Sequence, residues 1–214
     1  MAETHLPGLQ HHFDSYEQQQ EASFFGMWVF LATEVLFFGG LFCAYLVYRS
    51  SYPESFAAGS AKLDILLGAV NTAVLIGSSL TMALSVRAAQ LGKQKMIAIW
   101  MALTGMLGLA FLGIKAVEYS HKIHDGLFPG PDFVWKGVEA NVEMFFNIYF
   151  MMTGLHAFHM IIGMGIMAVL IPLAWRGAYT PESHNMIEGF GLYWHFVDIV
   201  WIFLFPLLYL LGRH

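Results

Sequence analysis

The chain has 214 residues with a net charge of −5, and only 12% of them are charged, against roughly 25% in soluble domains. With 57% apolar residues, 19 of them Phe, it exceeds what one soluble core of this length can hide, so a water-soluble domain is excluded and a bilayer is implied. The acidic balance argues against a nucleic-acid partner, and a single cysteine, Cys43, leaves no disulfide framework.

The first 22 residues contain no Lys or Arg and four acidic residues, Glu3, Asp14, Glu17 and Glu21. That is the reverse of a signal-peptide start. The QQQEAS stretch is expected to lead, as an amphipathic or loose segment, into a transmembrane domain over residues 23–214. Five apolar stretches then follow, each able to span roughly 30 Å of hydrocarbon as a helix of about 20 residues: Phe24–Tyr48, Leu63–Ala89, Met96–Tyr119, Phe145–Pro172 and Gly189–Leu211. Helices are required because each segment must satisfy its own backbone in lipid. The expected fold is all-α, a polytopic five-helix membrane bundle. Glycines such as Gly39 and Gly40, Gly105 and Gly108, and Gly163 and Gly165 are expected to let the helices approach closely.

Orientation is weakly coded. The short loop between the second and third spans contains Arg87, Lys93 and Lys95 within or beside it, which favours the cytoplasm. The N-terminus is then inside and the C-terminus outside, although Arg49, Lys62, Lys122, Lys136 and Arg213 fall on the outer side.

Ionisable groups inside spans are the functional candidates, because their burial is costly. They are Glu34 in the first span, Glu118 at the end of the third, His156 and His159 in the fourth, and His195 and Asp198 in the fifth. Asn71 and Thr72 add a polar pair to the second. Each can serve packing alone. His195 and Asp198 share a helix face three residues apart and can bond locally, and Glu118 can pair with Lys115 at the same spacing.

Haem or metal ligation is the alternative, and depth opposes it. At about 1.5 Å per residue, His159 lies roughly 20 Å from the inner end of its span and His195 roughly 9 Å from the inner end of the next. Ligands of one haem cannot differ so much. By the same reckoning Glu34 and Asp198 lie at roughly 15 and 13 Å, so a pocket of Glu34, His195 and Asp198 is open if the first and last spans touch. A transporter with these groups as a proton relay is a further alternative, weakened by the odd span count and the absence of matching halves.

Three motifs narrow the choice. GMWVFLATEVLFFGG (Gly26–Gly40), TGLHAFHMIIG (Thr153–Gly163) and YWHFVDIVWIFLF (Tyr193–Phe205) resemble, in order and spacing, subunit III of the haem–copper respiratory oxidases. The resemblance covers nearly all of residues 22–211. It implies a non-catalytic subunit with no cofactor of its own, the haems and copper residing in subunits I and II. It also implies structural phospholipid and a role in keeping proton uptake durable. The partners are then oxidase subunits I and II and membrane lipid, with other respiratory complexes as further candidates, in a bacterial plasma membrane.

Glu34 stands at the family glutamate, His195 and Asp198 at the family His and Asp, and Glu118 with Tyr119 at the family Glu–Tyr pair. One departure is clear. Long forms of the family have two spans before the glutamate-bearing one, and this chain begins at that span, so the lipid cleft of the long forms is in question. Another subunit can supply the missing spans. The electron donor, cytochrome c or quinol, stays open, as does a place beside nitric oxide reductase.

Overall fold

The computed structural model describes residue 13, residues 15–179 and residues 184–211; residues 1–12 of the lead-in, with Asp14 and Arg213, lie outside them. Among the described residues the chain forms α1 (Tyr16–Ser51), α2 (Pro53–Ala61), α3 (Ile65–Gln90), α4 (Gln94–His124), α5 (Val142–Trp175) and α6 (Asn185–Phe205). A wider π-type turn, Pro206–Leu210, continues α6. All but the short α2 are long and apolar enough to cross a membrane, five spans among the described residues, and the protein is an integral membrane protein.

The described part of the lead-in is helical. Ser15 caps α1, its hydroxyl accepting from the Gln18 amide at 3.2 Å, and satisfies one of the free N–H groups of the first turn. Helix α1 therefore begins at Tyr16, well before Phe24, and takes in Gln18, Gln19 and Gln20. The short loop between α3 and α4 closes on Gly92, whose φ of +68° an L side chain rarely adopts. The Gly92 amide donates to the Ala89 carbonyl at 3.0 Å and the Lys93 amide to that of Ala88 at 2.9 Å. Two orphan carbonyls are thereby satisfied, and α4 folds back directly along α3.

The rest of the bundle follows from which faces are apolar or small. Helix α6 fills the centre, against α3, α5 and α1. Trp194 and Trp201 are fully buried there. Gly108 and Gly163 make room for the Trp194 indole: a Cβ at Gly163 would stand 2.7 Å from that ring and one at Gly108 3.1 Å. Gly39, Gly40 and Gly165 face open space instead, so these three do not mediate close helix contact. Helix α1 lies at the edge, with Phe25, Leu36 and Val47 more than half exposed, as suits a surface covered by lipid or a neighbouring chain.

The end of α6 is clasped by three side chains from two helices. The π turn closes on a bond from the Leu211 amide to the Pro206 carbonyl at 3.1 Å. Carbonyls at this end have no helical partner of their own. Tyr45 donates to the Leu207 carbonyl at 2.6 Å, Ser60 to that of Leu208 at 2.8 Å and Arg49 to that of Leu211 at 2.6 Å. Helices α1 and α2 thus fix the turn that positions Tyr209. Helix α2 is itself anchored by Phe56, packed edge-on against Tyr45 at 5.3 Å and Phe145 at 5.5 Å.

Candidate functional site

Polar side chains form several groups within the bundle. The first joins Glu34 of α1 to His159 of α5, with Glu34 Oε2 and His159 Nε2 3.1 Å apart. The other ring nitrogen, Nδ1, lies 2.9 Å from the Leu155 carbonyl. A carbonyl can only accept, so Nδ1 carries the hydrogen. A hydrogen bond across this 3.1 Å contact requires one further proton. Either neutral Glu34 donates to Nε2, or imidazolium donates to carboxylate. Phe38 packs 5.3 Å from the imidazole, and the Tyr193 hydroxyl donates to the His159 carbonyl at 2.9 Å. The pair borders a groove of about 520 Å³ on the side of the bundle, lined otherwise by apolar side chains such as Phe30, Phe158, Ile162 and Phe190, with Tyr193.

The pocket of Glu34, His195 and Asp198 does not form. Helices α1 and α6 do touch, through Phe38 and Phe196 at 6.1 Å and Phe42 and Phe203 at 6.4 Å. At about 3.6 residues per turn, the face carrying Phe196 and Phe203 turns His195 and Asp198 away from α1. Both reach α3. His195 Nδ1 lies 2.7 Å from the Ser79 hydroxyl, and the Ser78 hydroxyl donates to Asp198 Oδ2 at 3.4 Å. They make no bond to each other, because each is drawn to a serine on the facing helix.

The single Ser78 hydroxyl hydrogen also faces the Leu75 carbonyl at 2.9 Å, so it is shared between that acceptor and Asp198, while the oxygen accepts from the Trp194 indole at 3.2 Å. It keeps two partners without Asp198. Asp198→Asn is therefore expected to cost less than about 1 kcal/mol, since it preserves the shape and gives up one long bond. Measuring how much of the chain stays with its complex after solubilisation checks this. Substantial loss would show that a carboxylate is required.

Another group sits in α4, toward the C-terminal end of that helix. Lys115 and Glu118 are both buried, with relative exposures of 3% and 2%, and pair at 2.9 Å across one helical turn. The expected ion pair is present, with two tyrosines added. Lys115 donates to the Tyr209 hydroxyl at 2.8 Å, and Tyr209 and Tyr149 donate to Glu118 Oε1 at 2.7 and 3.1 Å. The ammonium lies 4.9 Å from the centre of the Trp201 ring and 5.3 Å from that of Tyr149, within cation–π range. Beside it Tyr119 bonds Thr153 at 2.5 Å. Glu118 lines a recess of about 630 Å³ at the bundle end, with His121, Lys122, His124 and Asp125.

The third group is His156, fully enclosed between Phe111 and Trp201 with ring centres 5.4 and 5.3 Å away. Neither of its nitrogens has a partner, and the same holds for the amide of Asn71 and for Asp198 Oδ1. Sequence reading passed over Ser78, Ser79, Tyr149 and Tyr209. The tyrosines carried a signal, since a buried phenol needs a partner for its hydroxyl; the serines carried none. Among the described residues no group of three or more His, Cys, Asp or Glu could hold a metal ion.

Comparison with known proteins fits this architecture. Residues 10–213 match the family described as "Cytochrome c oxidase subunit III". Among curated relatives, "Cytochrome c oxidase subunit 3" of Synechocystis sp. is 34% identical over 212 residues, 97% of this chain and 82% of that protein. "Quinol oxidase subunit 3" of Bacillus spizizenii is 34% identical over 192 residues, 87% of this chain and 86% of that protein. "Cytochrome bo(3) ubiquinol oxidase subunit 3" of Pseudomonas aeruginosa is 29% identical over 214 residues, 99% of this chain and 95% of that protein. With a family match over nearly its whole length, a five-span bundle and the motif glutamate of α1 bonded inside it, the chain belongs to the cytochrome c oxidase subunit III family.

Proposed function

We propose that the chain is the non-catalytic subunit III of a proton-pumping terminal oxidase in a bacterial plasma membrane. The holoenzyme oxidises cytochrome c and reduces oxygen to water. This subunit supports assembly, phospholipid binding and sustained proton uptake, and the haems and copper belong to subunits I and II. The N-terminus lies on the cytoplasmic side.

The observation that carries this reading is the Glu34–His159 pair. It lies at an apolar groove on the side of the bundle and joins α1 to α5. Such a pair braces two helices where lipid or another subunit covers them. The equal identity to a cytochrome c oxidase subunit and to a quinol oxidase subunit supports equally a second reading, in which the donor is a quinol.

Affinity purification of the chain in mild detergent, followed by an optical spectrum and identification of its partners, tests the proposal. Haem bands carried by a co-purifying large subunit are expected, and a bound copper-containing cytochrome c site in the second subunit separates the two donors. Metal analysis of the chain purified away from its partners is expected to find no haem, copper, zinc or iron in stoichiometric amount. A one-to-one content of any of them would overturn the non-catalytic assignment.

A further inference from the structure

Polar groups enter this bundle from both ends and stop short of each other. From one end, the recess lined by Asp64, His121, His124 and Asp125 reaches Glu118. Glu118 continues through Tyr149 and Tyr209 to Lys115. From the other end, Glu188, bonded to Gln90 and His184, shares a recess of about 280 Å³ with His195. His195 pairs with Ser79, and its neighbour Ser78 bonds Asp198. All of these groups except the Gln90 amide can exchange a proton or pass one along a hydrogen bond. Together they would make a path from one face of the membrane to the other, were it continuous.

It is interrupted at a single layer. That layer is centred on Trp201: His156 packs beside that ring, Thr72 next to Asn71 bonds its indole, and Asp198 stands three residues before it in α6; the side-chain nitrogens and oxygen of His156 and Asn71 and Oδ1 of Asp198 have no hydrogen-bond partner and essentially no accessible surface. No water-sized void therefore touches them, and a water needs both room and polar partners. Aromatic rings occupy the space. Phe111 and Trp201 flank the His156 imidazole and meet each other edge-on at 4.8 Å, and the Trp201 indole is pinned by its bond to Thr72 at 3.1 Å. Lys115 approaches the same Trp201 ring and ends there.

We infer that the Asn71–His156–Asp198 layer is a proton insulator, in which Phe111 and Trp201 exclude the water that would join the two polar arms. The inference rests on the reading of the chain as part of a proton-pumping oxidase, where such a seal prevents a leak of the gradient that the complex builds. Unpaired polar atoms next to bulky rings are also poised to hydrate once a ring is removed.

The test is passive proton flux. Oxidase containing this chain is reconstituted into vesicles without donor, and a potassium gradient with valinomycin drives protons while an internal dye reports pH. Phe111→Ala opens a ring-sized cavity beside His156, and the flux is expected to rise several-fold. Phe111→Leu keeps the space apolar and filled, and its flux is expected to match the unmutated enzyme. Vesicles with Phe111→Ala that retain the subunit and remain tight would overturn the inference. So would a high-resolution map of the unmutated enzyme with a file of waters bonded to Asn71, His156 and Asp198. That map decides the matter if Phe111→Ala is lost from the complex. If the chain purifies without any oxidase, the proposed function fails, and the same flux comparison on vesicles of the full chain alone still decides the insulator.

Discussion

Lys115→Ala will strip this subunit from its complex. Removing the ammonium leaves Glu118 buried, with its Oε2 facing no donor, at a position 2% exposed. Breaking one partner out of a buried ion pair costs about 3–5 kcal/mol, because an uncompensated charge stays behind in a low-dielectric interior. The loss spreads beyond the pair. Tyr209 sits at the end of the π turn and both accepts from Lys115 and donates to Glu118, so its place depends on both. The clasp around Leu207, Leu208 and Leu211 holds that turn from the side of α1 and α2. Loosening Tyr209 therefore pulls on three helices at once.

Retention of the subunit after solubilisation is the measurement, and near-complete loss is expected. Lys115→Met with Glu118→Leu removes both charges and fills the space, and should recover most of the retention. Full retention in Lys115→Ala alone would show that the pair contributes nothing to holding the bundle.

Glu34→Gln is expected to leave initial oxygen consumption and the proton-to-electron ratio nearly unchanged, while Glu34→Ala shortens the working life of the enzyme. The geometry at His159 supplies the reason. With Nδ1–H committed to the Leu155 carbonyl, the neutral ring offers Nε2 as an acceptor. A glutamine amide can donate to it as a protonated glutamate does. An alanine cannot, and His159 is left with an unpaired nitrogen at about 1–3 kcal/mol, together with a gap between α1 and α5. Initial rates, pumping ratio and inactivation half-time in reconstituted vesicles would be compared for both variants. Immediate loss of pumping in Glu34→Gln, with oxygen reduction intact, would make Glu34 a direct proton carrier and contradict the proposed bracing role.

Much of the fold was legible because lipid simplifies the reading of a sequence. A run of about 20 apolar residues with almost no charge has one stable solution in a bilayer, so span number and helical class followed directly. The ends were less legible. The QQQEAS stretch reads equally as an amphipathic or a loose segment, and the Ser15 cap and the continuous helix behind it carry α1 back to Tyr16. Glycines read as contact points proved so only at Gly105, Gly108 and Gly163, since composition does not tell which side of a helix faces a neighbour.

At the polar sites the sequence determined which ionisable groups stand within the spans and which local pairs can form. Lys115 and Glu118 lie three residues apart on one helix, and local geometry alone brings them together. Only the tertiary structure decided the rest. Glu34 meets His159 and not Asp198, because a rotation of α6 by a fraction of a turn redirects His195 and Asp198 to α3. Tyr209 joins Glu118 because a π turn after Pro206 changes its direction. Depth along a span is fixed by residue count, which a sequence records. Azimuth is fixed by how the five long helices pack, and for that the deciding contacts lie between residues such as Glu34 and His159, far apart in the chain.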